Sequence, residues 1–422
     1  MPDFTQVNSE DIAILALGHF VIVFIFFACA QLYLANGCRR WLNKNYSSEI
    51  AHRYNKIGLA FIILSNLLFC ARYMFIEVGL YEHTLIQGLV IYPGGVLFAA
   101  LGISLVAMLF IDLTRLTRTI HGKIQFSNTT IDNHDSEILK KHYSPSRRQF
   151  IKSAGMAMAG APFGIAIGSA SATAHDYRII REDLFFETLP VGLEGLKIAQ
   201  ISDIHSGIYM TQSQIQEIFE ITNSLNPNLV TITGDFIDTS INELPALYNT
   251  VSILKSDFGT FGCLGNHDHY GSGKAVSSAM QQQGVNMLVN GNTSLRINDE
   301  NLSLIGVDDY GSGKHDRARL DDALRGINPD TFKILLSHRP DLFDSACQNN
   351  IDLTLSGHTH GGQIGMDIFG VPFYPARLLY NYSDGLYQKN DKKLYVNVGV
   401  GMVGIPIRMV KPEITLITLR TT

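Results

Sequence analysis

The chain has 422 residues, carries 33 Lys and Arg against 38 Asp and Glu for a formal net charge of −5, and is 46% hydrophobic. That length exceeds one typical domain, and the apolar residues are concentrated unevenly along it. An acidic balance without a basic, aromatic-interleaved patch after His175 excludes a nucleic-acid scaffold.

In chain order, residues 12–35, 57–80 and 89–111 are each apolar over a length that spans about 30 Å of hydrocarbon at roughly 1.5 Å of helical rise per residue. They predict three membrane helices. The loop after the first carries Arg39, Arg40, Lys44, Arg53 and Lys56, whereas residues 1–11 and 81–87 carry no Lys or Arg. Positive charge stays inside, so the N-terminus is outside, and the third helix returns to the cytoplasm where Arg115, Arg118, Lys123, Lys140 and Lys141 follow. His19 and Arg72 fall inside spans, where an ionisable group points to a function such as contact with a lipid phosphate. Arg72 snorkelling, or pairing locally with Glu77, is the other reading. Residues 127–146 are polar and predict a flexible linker.

Ser146-Arg147-Arg148-Gln149-Phe150-Ile151-Lys152, followed by a Gly/Ala-rich apolar run over 154–172, resembles a twin-arginine export signal. The resemblance implies the twin-arginine translocation machinery as a partner and export of an already folded domain. A fourth span starting inside must also end outside, which is the same side. Ala170-Ser171-Ala172 and Ala172-Thr173-Ala174 both read as processing sites, so the domain either stays tethered or is released. The predicted division is therefore 1–112 (three membrane helices), 113–145 (cytoplasmic linker), 146–175 (signal or fourth span) and 176–422 (the exported domain).

Within that last region short apolar runs at 196–202, 229–233 and 261–264 each precede a polar block: Asp203-x-His205, Gly234-Asp235-x-x-Asp238 and Gly265-Asn266-His267-Asp268. His338 and Gly357-His358-Thr359-His360 complete the set. Each of those three blocks falls at the carboxyl end of a predicted buried strand, so ligand-type side chains converge on one sheet edge. Carboxylate, imidazole and one amide oxygen suit Mn, Fe or Zn, with no thiol in the set. Nor is there a G-x-S-x-G elbow or an evident catalytic cysteine. Cys263 and Cys347 lie in apolar segments and read as buried free thiols.

Thr211 with Gln214 forms a capping box ahead of a helix whose core face is Ile215, Ile218, Phe219 and Thr222. Helices are predicted again at 244–254, 275–283 and 341–348. Strands are predicted at 303–307, 332–336, 353–356, 393–398 and 413–419. Two packed sheets flanked by helices fit this order.

The spellings Ile201-Ser-Asp-Ile-His205-Ser-Gly207, Gly357-His-Thr-His-Gly-Gly-Gln363 and Tyr395-Val-Asn-Val-Gly399, with every polar block in order over 196–419, resemble the calcineurin-like metallophosphoesterase family. The nearest likeness is to its YkuE/YaeI-type bacterial phosphodiesterase branch. The resemblance implies an α/β fold, the four-layer α/β/β/α sandwich, here preceded by an all-α membrane region of three to four helices. It implies two divalent metal ions (Mn, Zn or Fe), one held by Asp203, His205 and His360, the other by Asn266, His338 and His358, with Asp235 bridging. A hydroxide shared by the metals would be the nucleophile. His267 takes the family's non-ligand histidine position, which protonates the leaving oxygen, and Asp238 orients it. A helix N-cap remains the other reading of Asp238, and simple packing that of His267.

Arg339, beside His338, and Arg377, in the 370–387 loop, are candidate substrate contacts, with structural ion pairing as the alternative for each. Residues 306–319 form a second loop over the same edge. The chain thus reads as a multi-pass protein of the inner (cytoplasmic) membrane whose catalytic domain lies on the periplasmic side. The expected activity is hydrolysis of an envelope-lipid or cell-wall phosphoester, with membrane lipid as neighbour and no nucleic acid. One alternative is a lipid pyrophosphatase of the UDP-diacylglucosamine type, which export disfavours. The other is a non-catalytic, metal-containing envelope-binding or sensor protein, for which His267 and Asp238 would be superfluous.

Overall fold

A computed structural model describes residues 9–127, 176–309, 319–363, 365–368, 371–404 and 406–422. The described residues divide into two compact units, one holding residues 9–127 and the other those from 176 onward.

The first unit contains helices α1 (Ser9–Asn45), α2 (Ser48–Glu77) and α3 (Tyr92–Ser127). Within this unit Val21–Asn45, Ser48–Ile76 and Gln87–Thr114 are long and apolar enough to cross a membrane. They meet through Phe27, Phe69 and Leu101, with the Phe27 and Phe69 rings stacked 4.8 Å apart. Ile22, Leu64, Leu67 and Phe110 point outward and are exposed, as lipid-facing side chains are. Polar side chains pair inside: Gln31 Nε2 donates to Ser65 Oγ at 2.8 Å. The predicted basic loop is mostly helix, broken only at Tyr46–Ser47, so Arg39, Arg40, Arg53 and Lys56 extend the helix ends. Pro93, which lacks an N–H, fits the first turn of α3, and the five residues before that helix form a π turn, Gln87–Ile91. Arg72 Nε donates to the Ile91 carbonyl at 3.3 Å. The side chain of His19 lies outside what is described.

Helix α3 runs to Ser127, past the expected start of the linker at 113. The rest of that linker, the twin-arginine-like segment and the fourth span with its two processing sites lie outside the described residues.

The second unit begins with β1 (Arg178–Phe186), β2 (Lys197–Ile201), β3 (Leu229–Thr233), β4 (Thr260–Cys263) and β5 (Val285–Met287). It continues with β6 (Gly291–Ile297), β7 (Glu300–Gly306), β8 (Phe332–Leu336) and β9 (Leu353–Ser356). A small hairpin of β10 (Met366–Ile368) and β11 (Val371–Phe373) precedes β12 (Gly385–Lys389), β13 (Lys392–Val396) and β14 (Glu413–Thr421). Two six-stranded sheets result, ordered β1-β14-β2-β3-β4-β5 and β12-β13-β9-β8-β7-β6.

Strand alternation explains their stacking. Ile198 and Leu229 point into the core between the sheets, where they join Leu302, Leu304, Ile334 and Leu355 from the other sheet. Ala199, Ile201, Val230 and Ile232 point the opposite way, against the helix faces of Ile215, Ile218 and Phe219 and of Val276, Ala279 and Met280. Ile305, Val307 and Leu335 pack outward on Ala323 and Ala346. Both faces of each central strand are thus covered, as parallel sheets require, and the layers run α/β/β/α.

Helix α4 (Gln212–Ser224) starts at the predicted capping box, with the Thr211 N–H donating to Gln214 Oε1 at 3.0 Å. The single helix expected over 244–254 is instead Leu244–Tyr248 and Val251–Ile253. Thr250 Oγ1 donates back to the Ala246 carbonyl at 2.6 Å and ends the first turn there.

Candidate metal centre

Each polar block leaves the carboxyl end of a parallel strand. Asp203 and His205 follow β2, Asp235 and Asp238 follow β3, Asn266 and His267 follow β4, His338 follows β8, and His358 and His360 follow β9. The first three strands belong to one sheet and the last two to the other, so the site straddles both. The turns are tight. Asp203 (φ 52°), His205 (φ 48°), Asp235 (φ 52°), His358 (φ 72°) and His360 (φ 51°) all take left-handed backbone, which costs about 1 kcal/mol or more each for a residue with a Cβ. Such strain is tolerated where a site requires it. Two glycines make the crowding possible: a Cβ at Gly357 would lie 1.9 Å from Ser202 Oγ and 2.2 Å from Asp203 Oδ2, and one at Gly265 would lie 2.2 Å from Asp235 Oδ1.

Two groups of donor atoms form. In the first, His205 Nε2 and His360 Nε2 are 3.1 Å apart, and Asp203 Oδ1 is 3.3 Å from His360 Nε2. In the second, His338 Nε2 is 3.1 Å from Asn266 Oδ1 and 3.2 Å from His358 Nδ1. Asp235 Oδ2 stands between them, 3.5 Å from His205 Nε2 and 3.2 Å from His338 Nε2. His338 Nδ1 donates to the Thr233 carbonyl at 2.8 Å, which turns Nε2 toward the cluster. Asp238 touches two rings: its Oδ1 lies 3.2 Å from His205 Nδ1 and 3.5 Å from His267 Nδ1, neither contact in line for a full hydrogen bond. The Asp238 carbonyl accepts from His267 Nδ1.

The electrostatics are those of a cation site. Burial would raise the carboxyls of Asp203 and Asp235, yet His360 and His338 respectively outweigh it and hold both well below the ordinary range. Burial would likewise lower His338, but the Asp235 and Asp203 charges push it up to about 10. His267 rises to about 9 against its burial, through Asp238 and Asp235. Burial and the positive charges of His338 and Arg339 drive His358 down to about 3. Burial also lowers His360, which outweighs Asp203.

Three buried atoms here, His205 Nδ1, His360 Nδ1 and Asp238 Oδ1, make no hydrogen bond. Crowded imidazole nitrogens and carboxylate oxygens aimed at one another, with buried orphans beside them, fit divalent metals and fit little else.

Supporting residues to which the sequence reading gave no role hold the loops. Asp268 accepts from the N–H groups of Phe236 and Gly265, both at 2.8 Å, and so ties the two loops after β3 and β4 together. Burial, then the Asp235 charge, raises its carboxyl to about 7. Glu243 accepts the N–H groups of Asp238, Thr239 and Ser240 and fixes that turn. Arg408, fully buried, donates to the carbonyls of Val398, Gly399, Gly401 and Val410, clasping the loop whose Gly401 N–H bonds the Asp203 carbonyl. Asp268 stood inside a recognised block; nothing in the spelling around Arg408 marks it.

Arg339 and Arg377 are both engaged. Arg339 Nε donates to Asp309 at 2.8 Å while one of its terminal nitrogens lies 3.0 Å from His358 Nε2, which puts a guanidinium at the edge of the centre. Arg377 forms a two-point pair with Asp384 at 3.0 and 2.7 Å. The loop 306–319 is described only at its ends.

The family model for calcineurin-like phosphoesterases matches residues 196–362. The uncharacterized metallophosphoesterase YkuE of Bacillus subtilis is 34% identical over 288 residues, covering 66% of this chain and 98% of that protein. A transmembrane protein with metallophosphoesterase domain from Danio rerio is 30% identical over 58% of this chain and 57% of its own length. An uncharacterized metallophosphoesterase of Helicobacter pylori (strain ATCC 700392 / 26695) is 33% identical over 52% of this chain and 58% of its own. The chain thus spans little more than half the length of those last two. Near-complete coverage of the Bacillus protein, together with two stacked sheets carrying His and Asp clusters at their strand ends, places the chain in the calcineurin-like metallophosphoesterase family.

Proposed function

We propose that the chain is a membrane-anchored phosphoesterase that holds two divalent metals, one through Asp203, His205 and His360 and the other through Asn266, His338 and His358. Asp235 would be shared. The observation that carries this reading is the place of Asp235 Oδ2, within 3.5 Å of a histidine nitrogen from each group. A shared anionic oxygen is what two neighbouring cations need to offset their repulsion. Metals bound there would supply Lewis-acid activation of water and neutralise charge on the phosphoryl group.

The protein's own residues do the rest. In the metal-free chain, against its burial, the Asp238 and Asp235 carboxylates raise His267 to about 9. Its Nδ1 is engaged by Asp238, which leaves Nε2–H to protonate the leaving oxygen. The Asp238 carboxylate lies beside both that ring and the ring of His205. Arg339, pinned by Asp309 beside His358, is the better placed of the two arginines to meet a phosphate oxygen.

A twin-arginine-like signal at 146–152 and basic residues at the helix ends support a division into 1–112, 113–145, 146–175 and 176–422, with helix α3 running on to Ser127, and a periplasmic catalytic domain on an inner-membrane anchor. Its substrate would be a phosphodiester or diphosphate of an envelope lipid or wall component. The test is turnover of bis(p-nitrophenyl) phosphate and p-nitrophenyl phosphate by the full chain in detergent, loaded with Mn or Zn. Diester turnover lost in His267→Ala supports the reading; no turnover of either ester by the metal-loaded chain overturns it.

A further inference from the structure

Beside the centre lies a cavity of about 190 Å³ lined by two stretches of chain. Arg339, Pro340 and Asp341 line it together with His358. Leu379, Tyr380, Asn381 and Tyr382 supply the rest of its wall. The aromatic wall is fixed: the Tyr380 ring centroid is 6.2 Å from that of His358, and Tyr382 packs edge-on against Phe343 at 5.5 Å while its hydroxyl donates to Asp344 at 3.2 Å.

The rim is the unusual part. Leu378 and Leu379 follow one another out of a short turn, Pro375–Leu378, and stand 78% and 81% exposed. Scattered exposed leucines are ordinary, but here Leu379 lines the cavity and Leu378 is its exposed neighbour in the chain, so an apolar pair stands at the cavity's lip. This chain also carries three helices able to hold it in a bilayer, so apolar phosphoesters are concentrated where it works.

We propose that this cavity selects the substrate's alcohol substituent, and that the substituent is an acylated glycerol. The phosphate would sit by Arg339 and His358, the glycerol carbons along Tyr380 and Tyr382, and the acyl chains that emerge against Leu378 and Leu379. The inference rests on the phosphoesterase reading and narrows its substrate to a lipid phosphoester, as against a sugar or wall-glycan one, whose hydroxyl-rich substituent would leave this lip without a partner.

The test uses the full chain in detergent, with bis(p-nitrophenyl) phosphate as reporter. Two competitors share one phosphodiester headgroup: dihexanoyl phosphatidylglycerol, used below its micelle concentration, and glycerophosphoglycerol, its deacylated counterpart. The wild type should be inhibited at least about tenfold more strongly by the acylated competitor, since burying even a few methylenes is worth that much. In Leu378→Ser/Leu379→Ser that ratio should collapse toward unity, whereas Leu378→Met/Leu379→Met should keep it. The ratio is internal to each variant, so a general loss of activity does not mimic the effect. Equal inhibition of the wild type by both competitors, or an unchanged ratio in the serine variant, overturns the proposal while reporter turnover leaves the phosphoesterase reading standing. Absence of reporter turnover in the wild type instead removes the phosphoesterase reading, and this inference with it.

Discussion

Replacing Asp238 by Asn removes a buried charge that serves two imidazoles at once. Burial alone would raise this carboxyl, but its contacts with His205 and His267 hold it down to about 2 against an ordinary 3.8. At roughly 1.4 kcal/mol per pH unit, the ionised form is favoured by about 2–3 kcal/mol net of the opposing burial. Asp238→Asn forfeits that support for His205, and metal affinity in the group of Asp203, His205 and His360 should fall about 10- to 100-fold, as when other outer partners of metal-bound histidines are removed. The group of Asn266, His338 and His358 has no contact with Asp238 and should keep its affinity within about threefold. Calorimetric titration of the metal-stripped full chain with Mn reads both. Two binding steps of wild-type affinity in the variant would refute the assignment of Asp238 as the outer partner of His205.

Further outcomes follow from the same geometry. His338 and His267, at about 10 and about 9 against an ordinary 6.5, are raised in the folded, metal-free chain. Their stabilising contribution is therefore complete below pH 6.5 and is lost as pH climbs through those values, so the metal-free melting temperature should fall over that interval. Metal affinity should rise over the same interval because His338 must surrender its proton, and a flat profile in both measurements would contradict this. Gly357→Ala, whose Cβ would meet Ser202 Oγ and Asp203 Oδ2, should cost about 1–3 kcal/mol and lower metal content, while Gly291→Ala, with nothing within 4 Å, should stay within about 0.5 kcal/mol of wild type in urea denaturation. Arg147→Lys/Arg148→Lys should leave the catalytic domain protected from protease added to spheroplasts; continued digestion would sink the twin-arginine reading.

The centre was legible because its residues follow apolar runs: β3, β8 and β9 coincide with the expected strands, and their carboxyl ends deliver the ligand-type side chains. Less legible were elements whose definition lies outside local hydrophobic pattern. Strand β1 reads Arg-Ile-Ile-Arg-Glu-Asp-Leu-Phe-Phe, half exposed on a sheet edge, and only its pairing with β14 makes it a strand. The β6–β7 hairpin turns on Asn298 and Asp299, both at positive φ, a turn signal that the sequence carries in two polar residues between short, weakly apolar strands. Arg408 was not legible, since its role is to satisfy carbonyls, including those of Val398 and Gly399 in the recognised 395–399 stretch, that only the folded loop brings together. Asp238 was seen as a partner of His267, but its second contact, with His205, exists only once β2 and β3 lie side by side.

The most direct test of the shared-carboxylate centre is a metal count. Elemental analysis of the purified full chain, saturated with Mn and freed of excess, should give two metals per wild-type chain, and fewer than two for Asp235→Asn with its diester turnover lost. A wild type that saturates at one metal with undiminished turnover, or an Asp235→Asn chain that retains both metals and full activity, would contradict the account.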